Sequence, residues 1–583
     1  MSRYVQTVPP PADPYAGDSL LRSWLDRLLG PAGHAAAKDR LAALAADVAG
    51  PLRAAHWQAE AHPPVLHRYD AWGARIDHIE TPQGWETQRR AAAAHAVVAL
   101  PYQAHSRDRW GPAVRVLQHA LLHLYGPESA TFSCPVAMSD GAAALLSRSD
   151  VDPAVRDAWL PRLLSTDPSA AVTSGQWMTE STGGSDLARC ATSARPARDG
   201  SWRLQGEKWF CSAADAAMAV TLARPEGADT GSRVLAPFLV PRYAADSPLA
   251  EARSAPHWPA PGVRIHRLKD KLGTRALPTA EVGLLDAYAL PLGDPGKPGL
   301  ARTMTLVRVA RLHNAAAAAA GMRRGLDYAR AYASARHVAG GRLDASPLHR
   351  ATLGALTVDT AAAFVLAGHA FALLGQVEAA SAGSAAGSAG SSGSDVDAGV
   401  ELRIVAPLAK LATGKLAVAA ASELVECFGG AGYIEDTGVP RLLRDAQVLP
   451  IWEGTTNVLS LDLLLRSGLA TGLAALLGRA SAAARGATDP QLADAARKSI
   501  AALERAALWV EAGQDAEVIQ AGARRLAMTL ARALQLALLC EHAQWMLDNE
   551  RDPRGRAAAL RYARLPVDLL HEIDLDLDRE LLR

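Results

Sequence analysis

Apolar positions divide the chain before any motif is considered. From about residue 35 to 165 they recur at helical spacing, as around Leu44 and Val48 and through Val116, Leu117, Ala120 and Leu121, which predicts helices. Residues 1–30 are mixed and carry Pro9-Pro10-Pro11. They read as an arm that needs a surface to lie against. Near residue 170 the helical period fades, and Gly, Ser, Thr and β-branched residues increase. Asp199-Gly200 stands between strand-compatible flanks, a hairpin signal. Ala219–Ala223 and Val234–Val240 read as short strands, and Val263, Ile265 and Leu268 alternate with basic residues. Residues 170–295 are therefore expected to form about seven strands in a sandwich or barrel. Helical patterning returns near residue 300 and persists to the end. It includes six consecutive alanines, Ala315–Ala320, which give a face that another helix can approach closely. Residues 379–399 are rich in Ala, Gly and Ser and read as a mobile surface loop between two helices.

The order is α, then β, then α, which disfavours a doubly wound dinucleotide fold. The predicted class is α+β: an N-terminal arm and helical domain (1–169), a β domain (170–295), a C-terminal helical bundle (296–466) and a helical extension (467–583). A chain of 583 residues suits several domains. With 61 basic and 60 acidic residues, nothing in the overall charge points to nucleic acid. The five cysteines, Cys134, Cys190, Cys211, Cys427 and Cys540, are scattered and form no C-x-x-C, which argues against a disulfide framework or zinc ribbon. No signal-peptide pattern stands at the N-terminus, and no uncharged apolar run of about 18 residues calls for a bilayer. The expectation is a cytoplasmic protein without a membrane partner.

Four short units carry candidate chemistry. Gln176–Leu187 (Q-W-M-T-E-S-T-G-G-S-D-L) supplies adjacent glycines and several hydroxyls, suited to a flat ring edge or a pyrophosphate. Gly206–Ser212 places two aromatics beside a hydroxyl. Glu426–Tyr433 reads as a helix ending in a glycine-rich turn. Leu449–Asn457 sets one carboxylate, Glu453, between Trp452 and Gly454 just before a new helix, where apolar surroundings would suit a base. Taken singly, the first two read better as an ordinary turn and an ordinary core strand, and Glu453 also fits a helix-start carboxylate that offsets the dipole. Thr413-Gly414-Lys415 is not a phosphate-binding loop, since Leu416 replaces the required hydroxyl.

Together, and in this order, the four resemble the acyl-CoA dehydrogenase family over roughly residues 40–466. Met178–Asp186 is similar to its first flavin-binding signature and Ile451–Thr455 to its second. Pro63–Asp70, Gly206–Ser212, Arg267–Gly273 and the long extension further resemble the AidB-like branch. The resemblance implies FAD held without a doubly wound fold. Met178, Thr179, Gly183, Gly184 and Ser185 would then contact the flavin and pyrophosphate. Phe210 would lie over the ring, Ser212 would reach N5, and Thr455 and Asn457 would add contacts. Arg336, Phe428, Gly429 and Gly430 would meet a neighbouring subunit's FAD. It implies α,β-dehydrogenation of an acyl-CoA thioester with Glu453 as base and hydride transfer to flavin N5. Some relatives place the base on the long helix, but Ala310 stands at that position here; the adjacent Arg311 matches a substrate-end arginine. A homotetramer and an electron-transferring flavoprotein as partner are implied too. The pattern departs at Arg336–Gly340, where the family's aromatic is missing. An alternative is a flavoprotein that mainly binds, either duplex DNA in an alkylation response or a fatty acyl ligand.

Other candidates are set lower. His119 and His123 are spaced i, i+4 but lack a third ligand, so no metal is expected. Asp574, Asp576 and Asp578 lack the glycine and distal glutamate of a calcium loop. Cys211 reads as a small buried residue. Residues 467–583 hold 15 basic and 16 acidic residues, although Arg551, Arg554, Arg556, Arg561 and Arg564 cluster.

Overall fold

In a computed structural model, residues 8–242, 262–338, 340–385, 393–512 and 515–583 are described. In chain order the elements are α1 (Ser19–Ala49), α2 (Pro51–Ala61), β1 (Val65–Tyr69), β2 (Arg75–Glu80), α3 (Gln83–Ala94), α4 (Ala104–Trp110), α5 (Val114–Tyr125), α6 (Ser133–Leu146) and α7 (Pro153–Leu163). The strands β3 (Ser174–Trp177), β4 (Ser193–Pro196), β5 (Trp202–Ser212), β6 (Met218–Pro225), β7 (Ala236–Pro241), β8 (Val263–Leu268) and β9 (Thr279–Pro291) follow. Then come α8 (Leu300–Ala335), the short pair β10 (His337–Val338) and β11 (Gly341–Arg342), α9 (Pro347–Ala385), α10 (Gly393–Cys427), α11 (Val439–Ala446) and α12 (Thr456–Arg466). The chain ends with α13 (Leu469–Gly486), α14 (Pro490–Glu511), α15 (Ala516–Glu550), α16 (Arg554–Tyr562) and α17 (Leu575–Leu581). Two units result: residues 43–106 with 125–313, and residues 1–42 with 107–124 and 314–583.

The first unit is built on a seven-stranded sheet. Strand β5 pairs with β4 and β9, β9 with β7, β7 with β6, and β6 with β4, so five strands close into a ring. A barrel therefore forms, and β8 lies outside that ring on β9. The interior is filled by Trp177, Leu204, Cys211, Phe238, Val240, Ile265, Val282 and Leu284, among others. Strand β6 is apolar on both faces because Met218 and Val220 pack outward on Leu145, Leu146 and Trp159 of α6 and α7. That explains its lack of alternation in the sequence. The expected hairpin is present, with β4 antiparallel to β5 and Gly200 at φ 80° between them.

Two expectations fail near the N-terminus. The stretch 35–165 is not helical throughout, because β1 and β2 form an antiparallel hairpin within it. Pro63 and Pro64 end the helical run, and Asp70 caps the tip by accepting from the backbone N–H groups of Trp72 (2.9 Å) and Ala74 (2.8 Å). The hairpin meets β8 through side chains. Asp77 accepts from the Ile265 N–H at 3.0 Å, and Arg75 donates to the Ile265 carbonyl at 2.9 Å. The arm is also shorter than expected, since α1 begins at Ser19 and bends at Gly30 (φ 70°), just before Pro31.

The second unit is a helical bundle. Five of the six consecutive alanines are fully buried, as their small size requires. Gly375 of α9 lies so close to Pro112 that a Cβ there would meet its carbonyl oxygen at 2.0 Å. Helix α9 runs on to Ala385 and α10 starts at Gly393, so helix extends into both ends of the expected loop 379–399; residues 386–392 lie outside those described. Among the described residues, two helical segments, Pro347–Ser381 and Ala398–Cys427, are long and apolar enough to cross a membrane by length and composition, contrary to the expectation. Their most apolar windows are 89% and 78% buried inside the fold, which is why apolar residues stand all around them.

Ion pairs tie the C-terminal helices to the bundle. Glu401 of α10 takes a 2.6 Å hydrogen bond from His369 of α9 and a 3.1 Å contact from Arg479 of α13. Arg27 of α1 meets Glu541 of α15 at 2.5 Å. The arm is pinned by Asp18, which lies 3.1 Å from His123 and 3.4 Å from Arg323. Burial raises the pKa of Glu401 and of Asp18, but the cationic partners outweigh it and bring both down to about 2, from ordinary values of 4.5 and 3.8. A carboxylate held below its unfolded pKa stabilises above that unfolded value and loses the contribution as pH falls through the folded one. Thermal melts are therefore expected to show stability falling progressively from about pH 4.5 toward pH 2, with a shallower slope in Glu401→Gln.

Candidate functional site

The first group of predicted residues sits at the end of the barrel unit. Strand β3 delivers the chain to Met178, and the loop Ser181–Asp186 is exposed. Its shape has a buried cause. Glu180 turns inward, 6% exposed, and meets the fully buried ammonium of Lys208 on β5 at 2.8 Å. The same carboxylate accepts from the backbone N–H groups of Ala191 (2.7 Å) and Thr192 (3.1 Å) and from the Thr192 hydroxyl (2.5 Å). Burial pushes its pKa up, yet Lys208 and these donors bring it down to about 2. Lys208 also donates to the Leu222 carbonyl at 2.8 Å. The loop then doubles back, Gly183 N–H donating to the Glu180 carbonyl at 3.0 Å with Gly183 at φ 136°. A Cβ on Gly184 would meet Thr179 Oγ1 at 2.8 Å, so the loop lies directly on Thr179.

Strand β5 brings the second motif to the same place. The Trp209 N–H donates to the Thr179 carbonyl at 2.9 Å, and Ser212 pairs with Gln176. Along β5, Leu204 and Lys208 face inward, but the register shifts between Lys208 and Cys211. That irregularity changes the phase of the strand. Cys211 goes into the core, where burial pushes its thiol pKa up, and Phe210 is left 54% exposed. Lys269 places its ammonium 3.4 Å from the Trp209 ring centre and 4.9 Å from that of Phe210. The Ser212 hydroxyl lies 3.2 Å from that of Thr279, which accepts from Lys271 at 3.1 Å. Met178, Thr179, Gly183, Gly184, Ser185, Phe210 and Ser212 thus share one end of this unit. Arg311, on α8, is half-buried.

The remaining predicted residues belong to the helical unit. Glu453 is half-buried and stands at φ 54°, followed by Gly454 at φ 106°. A side chain in the left-handed region costs about 1–2 kcal/mol, and such strain collects at functional positions. The surrounding turn is held from two helices. Asn314 of α8 donates to the Leu449 carbonyl at 3.2 Å and accepts from the Trp452 indole. Lys410 of α10 donates to the Gly454 carbonyl at 2.5 Å. Thr455 caps α12 by accepting from the Val458 N–H at 3.5 Å, and Asn457 is exposed on the first turn. Elsewhere, Phe428 is buried against Tyr332 with ring centres 4.9 Å apart. Gly429 (φ 58°), Gly430 and Arg336 are exposed. A Cβ on Gly432 would lie 1.9 Å from the Val425 carbonyl oxygen, so only glycine closes that turn.

Sequence reasoning missed Glu180, Lys208, Asn314 and Lys410. A lysine at an inward position of β5 was the one available signal for Lys208. Of the lower-ranked candidates, His119 is buried beside Phe364 and Phe371. Asp574 caps α17, accepting from the Asp576 and Leu577 N–H groups, and Asp576 pairs with Arg579. Arg554, Arg556 and Arg561 are engaged by Asp552, by Asp489 and by the Ala351 carbonyl, so these three are committed within the fold.

Domain families match nearly the whole chain: the adaptive response protein AidB N-terminal domain over residues 9–168, the acyl-CoA dehydrogenase middle domain over 175–287, the acyl-CoA dehydrogenase C-terminal domain over 297–468, and the acyl-CoA dehydrogenase 11 C-terminal domain-like family over 475–574. The chain belongs to the acyl-CoA dehydrogenase family. Within it the chain is AidB-like. It is 38% identical over 557 residues to acyl-CoA dehydrogenase family member 11 of Caenorhabditis elegans, covering 93% of this chain and 86% of that one. It is 30% identical over 435 residues to AidB of Escherichia coli K12, covering 73% of each. A crystal structure of C. elegans ACDH-11 in complex with C11-CoA superposes with a TM-score of 0.89 at 36% identity, over 100% of this chain and 97% of that one. As an acyl-CoA dehydrogenase the chain is an oxidoreductase acting on acyl-CoA, with FAD as its cofactor.

The buried pair beneath the loop gives a direct test. Lys208→Met leaves Glu180 buried without its partner, which costs about 3–5 kcal/mol. A lower unfolding midpoint and loss of retained flavin on gel filtration are expected, whereas Lys297→Met, at a surface lysine, should leave stability within about 0.5 kcal/mol.

Proposed function

We propose that this protein catalyses α,β-dehydrogenation of an acyl-CoA thioester with Glu453 as the base. The observation that carries the reading is the Glu453 turn: one carboxylate, in a strained backbone conformation, fixed from two helices. The residues of the barrel unit fit a flavin. An exposed phenyl face at Phe210 stands beside a loop whose glycines let main chain approach a ligand closely, and Ser185 and Ser212 add hydroxyls. Met178, Thr179, Gly183, Gly184 and Ser185 would hold the ring and pyrophosphate, and Phe210 would cover the ring. Held there, FAD would supply the acceptor for the β-hydride.

The chain's own contribution is positional and electrostatic. The α C–H is a weak acid, so the base must sit at the proton with its carboxylate oriented beforehand. A backbone N–H at Glu453 is the proposed donor to the thioester oxygen, stabilising charge as it develops. Arg311 is proposed for the substrate end. The structure of ACDH-11 with C11-CoA supports an acyl chain of that order as ligand. We further propose assembly as a homotetramer in which Arg336 and Phe428–Gly430 approach a neighbour's FAD, and an electron-transferring flavoprotein as acceptor. Exposed Tyr433 (86%) and Ile434 (50%) beside that turn support burial in an assembly.

Anaerobic mixing with acyl-CoAs from four to sixteen carbons is the test. Bleaching of the flavin absorbance is expected with at least one of them. Glu453→Gln should abolish bleaching, a loss of more than about a thousandfold, while FAD stays bound. Bleaching at an unchanged rate in that variant would reassign the base.

A further inference from the structure

We propose that Lys410 is a positioning residue for the reaction: by clamping the carbonyl of Gly454 it holds Glu453 in the left-handed conformation from which its carboxylate works. This rests on the reading of Glu453 as base. Lys410 is fully buried on α10, where an apolar side chain would fill the same volume without carrying a charge out of water. Its ammonium is directed to a main-chain oxygen one residue beyond the carboxylate, at 2.5 Å. A charged donor makes that bond stronger than a neutral one.

The neighbouring residue on the same helix face supports the assignment. Gly414 follows Lys410 by one turn, and residues four apart share a face. A Cβ there would lie 3.1 Å from the Leu449 carbonyl carbon and oxygen and 3.2 Å from the Pro450 nitrogen. The beginning of the turn therefore presses on the helix at Gly414, and its end is bonded four residues earlier at Lys410. Asn314 holds the turn from α8. On this proposal, loss of the Lys410 bond removes the anchor on the Gly454 carbonyl, and the turn shifts enough to carry the Glu453 carboxylate from its place.

The test compares Lys410→Met and Lys410→Arg with wild type, all as FAD-loaded full chains, using the acyl-CoA that bleaches wild type fastest. In Lys410→Met, full FAD content and a KM within about threefold of wild type are expected, with bleaching slowed about a hundredfold, the size of effect that a misplaced reacting group produces. Lys410→Arg, which keeps the donor, should recover at least tenfold. Equal bleaching rates in Lys410→Met and wild type overturn the proposal, as does a loss confined to KM or to FAD content. Should Lys410→Met fail to fold, Gly414→Ala decides, because it displaces the turn while the buried lysine stays. Slowed bleaching with unchanged KM supports the clamp, and wild-type bleaching overturns it. A wild-type flavin that no acyl-CoA bleaches overturns the underlying reading itself, which is a different result from a variant that matches an active wild type.

Discussion

A buried ammonium is what each unit uses to hold its own group of candidate residues, through a carboxylate in one unit and through a turn carbonyl in the other. In the barrel unit Lys208 neutralises Glu180 and reaches the Leu222 carbonyl, and the glycine loop takes its course from the carboxylate so fixed. In the helical unit Lys410 reaches the Gly454 carbonyl. Neither lysine is at the surface. Placing a charge in a core is unfavourable unless its donors are used. The fold uses them beside main chain of unusual shape, near the glycine loop in one unit and beside Glu453 (φ 54°) in the other.

Much of this was legible from residue pattern. The seven strands, the Asp199-Gly200 hairpin and the long alanine-bearing helix follow from period and turn chemistry. What escaped was short or non-local. The hairpin at Val65–Glu80 has strands of five and six residues inside helical flanks, too short to establish a period of two. The first part of α1 was read with the arm because residues 1–30 are mixed and carry Pro9-Pro10-Pro11, although the helix begins at Ser19 and continues past its bend at Gly30. Closure of the sheet into a barrel depends on β4 pairing with β6 and β5 with β9, contacts that no local pattern announces.

The site divides the same way. Candidate residues such as Ser185, Phe210 and Glu453 could be named from sequence because they stand in contiguous motifs. Their supports were not, because Glu180 and Lys208 lie 28 residues apart and Lys410 and Gly454 lie 44 apart. Even the exposure of Phe210 is a consequence of a register shift between Lys208 and Cys211, which simple alternation along β5 would have reversed. Family likeness suggests positions for a ligand, whereas the structure shows what keeps those positions in place.

The contact between the N-terminal hairpin and β8 has a consequence for solubility. Strand β8 ends the sheet, and an outermost strand offers unpaired amide groups to any passing chain. At Ile265 both groups are already engaged, its N–H by the carboxylate of Asp77 and its carbonyl by the guanidinium of Arg75. Two side chains thereby imitate the backbone of a further strand, and the sheet stops there without needing another one to add on.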